Sequence, residues 1–190
     1  WFTVGQGILN EIYFPRVDIP QIRDMGFIIG DGQHFWVEVK RLPDCQVACV
    51  EAGIPVVTIT HQHERFTFTQ RITTDSNRDV ILVDISLTGD DTLRPYVLLA
   101  PHLGATGRDN IAEVGQYRGR RVLWAEQGPF GLALVAVDAN QQEALGMGST
   151  GYSGSSDGWQ DFHQYGFLQH YYQQAGPGNI ALTGALPPQA

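Results

Sequence analysis

At 190 residues, with 43% hydrophobic and 17% charged side chains, the chain is long enough to bury a core of its own, and its composition is that of a globular domain, not a disordered one. The 20 acidic against 12 basic residues give a formal charge of -8, with Lys40 as the single lysine and no basic run. That balance argues against a nucleic-acid groove or an anionic-membrane surface, and no apolar stretch approaches the roughly 18 residues of a membrane helix.

The chain starts at Trp1 directly on strand-like residues, without a charged leader, so a preceding portion is expected to have been removed. Strand character follows at residues 8–14 and 27–29. Phe35, Val37 and Val39 then alternate with Trp36, Glu38 and Lys40, the period-2 pattern of a half-buried strand. Residues 46–51 and 56–59 continue the pattern. Cys45 and Cys49, four apart on one extended strand, are too distant to bond to each other. Phe66, Phe68 and Ile72 oppose Arg65, Thr67, Arg71 and Thr73, and residues 80–87 alternate in the same way. Further runs lie at 96–100, 122–126, 132–137 and 179–183, separated by Gly, Pro, Asn and Asp turn-formers. Only residues 157–162 have helical character, with Asp157 and Gln160 in a capping-box relation that predicts a single turn.

Many short strands at 8–12-residue intervals and no long amphipathic helix predict an all-β fold of antiparallel sheets packed as a sandwich. One domain is expected over residues 1–184, with 185–190 (ALPPQA) as the start of a linker.

Several patterns invite chemistry. Gly146 to Gly151 matches G-x-G-x-x-G but lacks the strand-turn-helix context of a dinucleotide site and reads as a loop. Gly154-Ser155-Ser156-Asp157-Gly158 matches G-x-S-x-G, with Asp161, His163 and His170 downstream in hydrolase order. The preceding glycine- and serine-rich stretch does not resemble the buried strand of a nucleophile elbow, so a serine hydrolase at Ser156 is the weaker alternative. His61 and His63 would share a strand face with Arg65, a cation that disfavours a metal, so an exposed polar face is expected. Asp18, Asp24, Asp157 and Asp161 are loop acids and nominal glycosidic candidates. Trp36 and Trp159 are candidates for stacking on sugar, whereas Trp124, between Leu123 and Ala125, is expected in the core.

Three segments together resemble the N-terminal β-sandwich domain of bacterial and archaeal glycoside hydrolase family 15, the glucoamylase and glucodextranase group. They are Trp1-Phe2-Thr3-Val4-Gly5 through Pro15-Arg16-Val17-Asp18 and Arg23-Asp24-Met25; Tyr96 to Gly104; and Gly151-Tyr152 through Ser156-Asp157-Gly158-Trp159-Gln160-Asp161, closing on Gly178 to Gly184. The resemblance implies a large super-β-sandwich joined to an (α/α)6 catalytic barrel. In the family, the two glutamates that perform inverting hydrolysis of α-glucosidic bonds belong to that barrel, so no catalytic residue carries over to this chain.

The expected role is therefore non-catalytic, with the catalytic barrel of the same polypeptide as partner and α-glucan as a further possible ligand. No cofactor, metal, nucleic acid or membrane is expected, and a secreted or periplasmic location is favoured over the cytoplasm. Arg16, Asp18, Arg23, Asp24, Asp157, Trp159 and Asp161 are the candidates for an interface or cleft. The alternative is a carbohydrate-binding module that uses Trp36 or Trp159.

Overall fold

A computed structural model describes residues 1–188. In chain order its strands are β1 (Phe2–Gly5), β2 (Ile8–Ile12), β3 (Ile22–Gly30), β4 (Trp36–Glu38), β5 (Cys45–Cys49), β6 (Val57–His63), β7 (Phe66–Thr74) and β8 (Ile81–Gly89). They continue with β9 (Arg94–Pro101), β10 (Asn110–Tyr117), β11 (Arg120–Gln127), β12 (Phe130–Leu134), β13 (Gly148–Tyr152), β14 (Gln174–Gly178) and β15 (Ile180–Ala185). One helix, α1 (Gly158–Tyr165), stands between β13 and β14.

These strands form three antiparallel sheets. A seven-stranded sheet runs β1-β2-β3-β9-β15-β13, with β4 also paired to β3; the two four-stranded sheets run β5-β6-β7-β8 and β12-β11-β10-β14. The inner face of the large sheet meets both smaller ones. Met25 pairs with Leu99 and Phe27 with Val97 across β3 and β9, and all four join a core that includes Ile59, Phe68 and Ile72 of one small sheet and Ala112 and Leu123 of the other. The rings of Phe27 and Phe68 lie 5.0 Å apart across the layers. The expected all-β super-sandwich is what the chain forms.

The outer face of the large sheet is covered in part by α1. Alternation sends Ile28 and Tyr96, cross-strand partners, to that side, where they pack with Phe162 and Leu168 and with the half-buried Trp36 and Trp159. Burying Phe162 alone contributes about 1.5–3 kcal/mol. Asp157 caps α1 by accepting the N–H of Gln160 at 3.1 Å, and Gly166 ends it in the left-handed conformation at φ 85°, as N-caps and C′ glycines do. The helix sits tight on β15: a Cβ on Gly158 would lie 2.4 Å from Thr183 Oγ1.

Several expectations need correction. Strand β4 ends at Glu38, because Val39–Arg41 form a 3-10 turn, and β12 ends at Leu134 instead of reaching 137. The turn expected at 157–162 is a helix of eight residues. β10, β13 and β14 add strands where the sequence pattern shows none. The boundary expected at 184 falls inside the sheet: Ala185 pairs with Tyr96, and the buried Leu186 donates its N–H to Pro95 O at 2.9 Å. Of the expected linker, Gln189 and Ala190 lie outside the described residues.

Candidate functional site

An open cleft of about 270 Å³ lies on the outer face of the large sheet beside the N-terminus of α1. Its floor is Leu98 and Ala100 of β9 with Ala181 and Thr183 of β15. One wall carries Arg23, Asp24, Glu38, Lys40 and Arg41, and the other carries Ser153, Gly154, Asp157, Trp159 and Gln160.

Glu38 organises the cleft. It is 5% exposed, and its carboxylate forms an ion pair with Lys40 Nζ at 3.1 Å and accepts from Arg41 Nε at 2.6 Å and from the indole N–H of Trp159 at 3.0 Å. The 3-10 turn after β4 makes this possible, since it brings Lys40 and Arg41 back onto the carboxylate that precedes them. Lys40 also lies 3.7 Å from Asp24, which in turn lies 3.7 Å from Arg23. Arg23 reaches across to Ser153 Oγ at 3.4 Å.

Trp159 is held from several sides. Its ring stacks with His163 at 5.2 Å, the Arg41 guanidinium lies 5.3 Å from the ring centroid, and Trp36 meets it edge-on at 6.0 Å. Such contacts lock the ring and leave little of it as a sugar platform.

The chemistry of this arrangement is recognition. Of the three cleft carboxylates, Glu38 and Asp24 are paired with cations, and Asp157 is occupied by the backbone N–H groups of Gln160 and Gly154. By contrast, Arg23 and Arg41 are 45% and 66% exposed, and these contacts use only part of their five donors each.

The cleft gathers Arg23, Asp24, Asp157 and Trp159 of the sequence-derived candidates, with Trp36 behind them. Arg16 and Asp18 are elsewhere, paired with each other at 2.6 Å on an exposed loop. Asp161 faces away: it accepts the N–H groups of Gln169 and His170 at 2.9 and 2.7 Å and the imidazole Nδ1 of His170 at 2.7 Å. It therefore braces the segment after α1. The triad order after Ser156 does not assemble, because Ser156 Oγ is taken by the N–H of Tyr152 at 3.1 Å and His163 lies on Trp159.

Two other expectations are overturned. His61 is fully buried, with Nε2 donating to the carbonyl of Gly7 at 2.8 Å. Arg65 instead pairs with Asp90 at 2.6 Å. Trp124 is 41% exposed, since alternation along β11 buries its neighbours Leu123 and Ala125. Among the described residues no group of three or more His, Cys, Asp or Glu is gathered as a metal would need. Glu38, Lys40 and Arg41 were not singled out from the sequence. Their signal was a glutamate followed by two cations beside a tryptophan, at the position of the sole lysine.

Comparison with known proteins bears on the family and the fold. The family model described as "Glucodextranase, domain N" matches residues 1–190. A glucoamylase from Clostridium sp. (strain G0005) is 24% identical over 139 residues, covering 67% of this chain and 19% of the relative. The crystal structure of a bacterial glucoamylase complexed with acarbose superposes with a TM-score of 0.88 at 20% identity, over 98% of this chain and 28% of that one. The chain thus spans less than a third of the length of either protein, and the structural likeness establishes the fold.

Proposed function

We propose, from the premise that this chain belongs to the glucodextranase N-domain family, that it is the non-catalytic sandwich of an α-glucan-hydrolysing enzyme and docks on the catalytic domain of the same polypeptide. On this reading the inverting hydrolysis of α-glucosidic bonds is performed by an (α/α)6 barrel, and this domain supports the barrel and its entrance. A polymeric substrate also favours an extracellular or periplasmic setting.

The observation that carries the docking role is the cleft. It is an open surface of fixed opposite charges with one locked aromatic ring, and its acids are tied down while two arginines remain partly available. Interfaces between domains of one chain are more polar than permanent ones and favour such groups. The arginines fit carboxylates presented by the neighbouring domain, which each could grip through two parallel hydrogen bonds. Arg16 and Asp18, on their own exposed loop, would then lie outside the contact.

The test is reconstitution. The 190-residue chain and the separately expressed catalytic domain are mixed, with association followed by analytical ultracentrifugation and turnover by maltooligosaccharide and isomaltooligosaccharide hydrolysis. The expected result is a 1:1 complex whose affinity falls by about tenfold or more when Arg23→Glu and Arg41→Glu are combined, as loss of charged interface contacts does. Hydrolysis by the 190-residue chain alone, or a complex indifferent to the charge reversal, would overturn the reading.

A further inference from the structure

The surface that follows α1 has a chemistry unlike the rest of the molecule. After Asp161 the sequence contains no Asp, Glu, Lys or Arg through Pro188. Within that uncharged stretch four rings contact one another in succession: Phe167 with Tyr165 at 6.4 Å, Tyr165 with His170 at 5.8 Å, and His170 with Tyr172 at 5.3 Å and an interplanar angle of 3°. Tyr165 is 37% and Tyr172 44% exposed, and His170 keeps 40% of its side chain in solvent.

This ladder is built and held. Asp161, 7% exposed, accepts from His170 Nδ1 and from two backbone N–H groups of the same segment. The imidazole is therefore held in one orientation, with Nδ1 directed at the Asp161 carboxylate. Tyr172 is pinned through its backbone, whose N–H donates to Ser149 Oγ at 3.2 Å and whose carbonyl accepts from Thr150 N at 2.9 Å. Rings fixed in this way lose little conformational entropy when a ligand arrives. In the same segment of the chain, Gln164, Gln169, Gln173 and Gln174 are all exposed, and amides both donate and accept.

We infer that this ladder is a binding strip for a neutral glucan, separate from the charged cleft. Sugar rings present apolar C–H faces that pack on aromatic rings, and hydroxyl rims that need donors and acceptors but no charge. Exposed rings flanked by glutamines, with no ionised group between residues 162 and 188, supply that combination. A carboxylate-rich protein partner would be better served by the arginines of the cleft. The choice of glucan over another neutral saccharide rests on the proposed parent activity; the strip itself does not.

The test titrates the 190-residue chain with maltoheptaose and with isomaltotriose, following the His170 imidazole and tyrosine ring resonances by NMR and affinity by calorimetry. One or both sugars are expected to bind, with shifts confined to the ladder. Tyr172→Ala and Tyr165→Ala should each weaken binding by about three- to tenfold, the scale of one aromatic contact, while Trp124→Ala, on another sheet, should not. Unchanged far-UV dichroism would show that the variants fold. Three results would overturn the inference: no binding of either sugar at the highest soluble concentration, binding that survives both tyrosine changes, or tyrosine variants that bind sugar normally but no longer join the catalytic domain. Failure of the Arg23/Arg41 docking test with intact sugar binding would instead count against the docking role alone.

Discussion

Glu38 links two parts of the chain that the sequence keeps 121 residues apart, Lys40 and Arg41 beside it and Trp159 beyond β13. The shared face of Trp36 and Glu38 is visible in the period-2 pattern, but neither the turn that returns Lys40 to Glu38 nor the indole on the far side is, since alternation carries no information about turns or distant partners. Glu38→Gln keeps the shape and removes the charge, so two cations lose their counter-ion. The expected cost is about 1.5–3 kcal/mol, as for hydrogen bonds to charged groups, read as a lower urea midpoint and a shifted Trp fluorescence maximum. His61 gives a second residue-scale prediction. Burial lowers its pKa, and its Nδ1 has no hydrogen-bond partner, so protonation would place a bare charge in the core. The unfolded chain then binds the proton more readily than the folded one. Stability is therefore full above the unfolded value of about 6.5 and falls as pH drops through the window below it. Denaturation midpoints at pH 7.5 and 5.5 should show that loss, and His61→Gln should flatten it.

At the scale of elements, the strands with clean alternation, β7 and β8 among them, were legible from their side chains. β13 and β14 were not, because Gly148-Ser149-Thr150-Gly151 and Gln174-Ala175-Gly176-Pro177-Gly178 look like loops. β13 needs small residues because it is pressed from one side: a Cβ at Gly148 would lie 2.9 Å from Leu123 Cδ2. The helix is longer than its sequence signals suggest for a similar reason. Its stop at Gly166 and its apolar anchor Phe162 could be read, whereas the sheet that stabilises it comes from β9 and β15. Asp157→Ala should cost about 1 kcal/mol through the lost cap. Gly158→Ala should cost about 1–3 kcal/mol by pushing the helix off Thr183. Thermal melts of both variants check these values, and the glycine change should also loosen the packing of Trp159 seen in near-UV dichroism.

For the whole molecule, the fold class followed from strand count and turn spacing, yet the division into one large and two small sheets did not, since pairing order is set by contacts far apart in sequence. β9 shows this best: it lies between β3 on one side and β15 on the other, so residues 94–101 wait for residues 180–185 to complete their hydrogen bonding. During synthesis on the ribosome, β9 would present an unpaired apolar edge for the whole time the intervening chain is being made, the condition under which strands of neighbouring chains associate wrongly. A chain ending at Gly178 should accordingly lose its cooperative urea transition and bind a hydrophobic dye, while one ending at Pro188 should unfold as a unit. The central seat of a late-emerging strand thus delays completion of the large sheet until residues 180–185 are available, and it makes expression at lower temperature the condition that favours recovery of native protein.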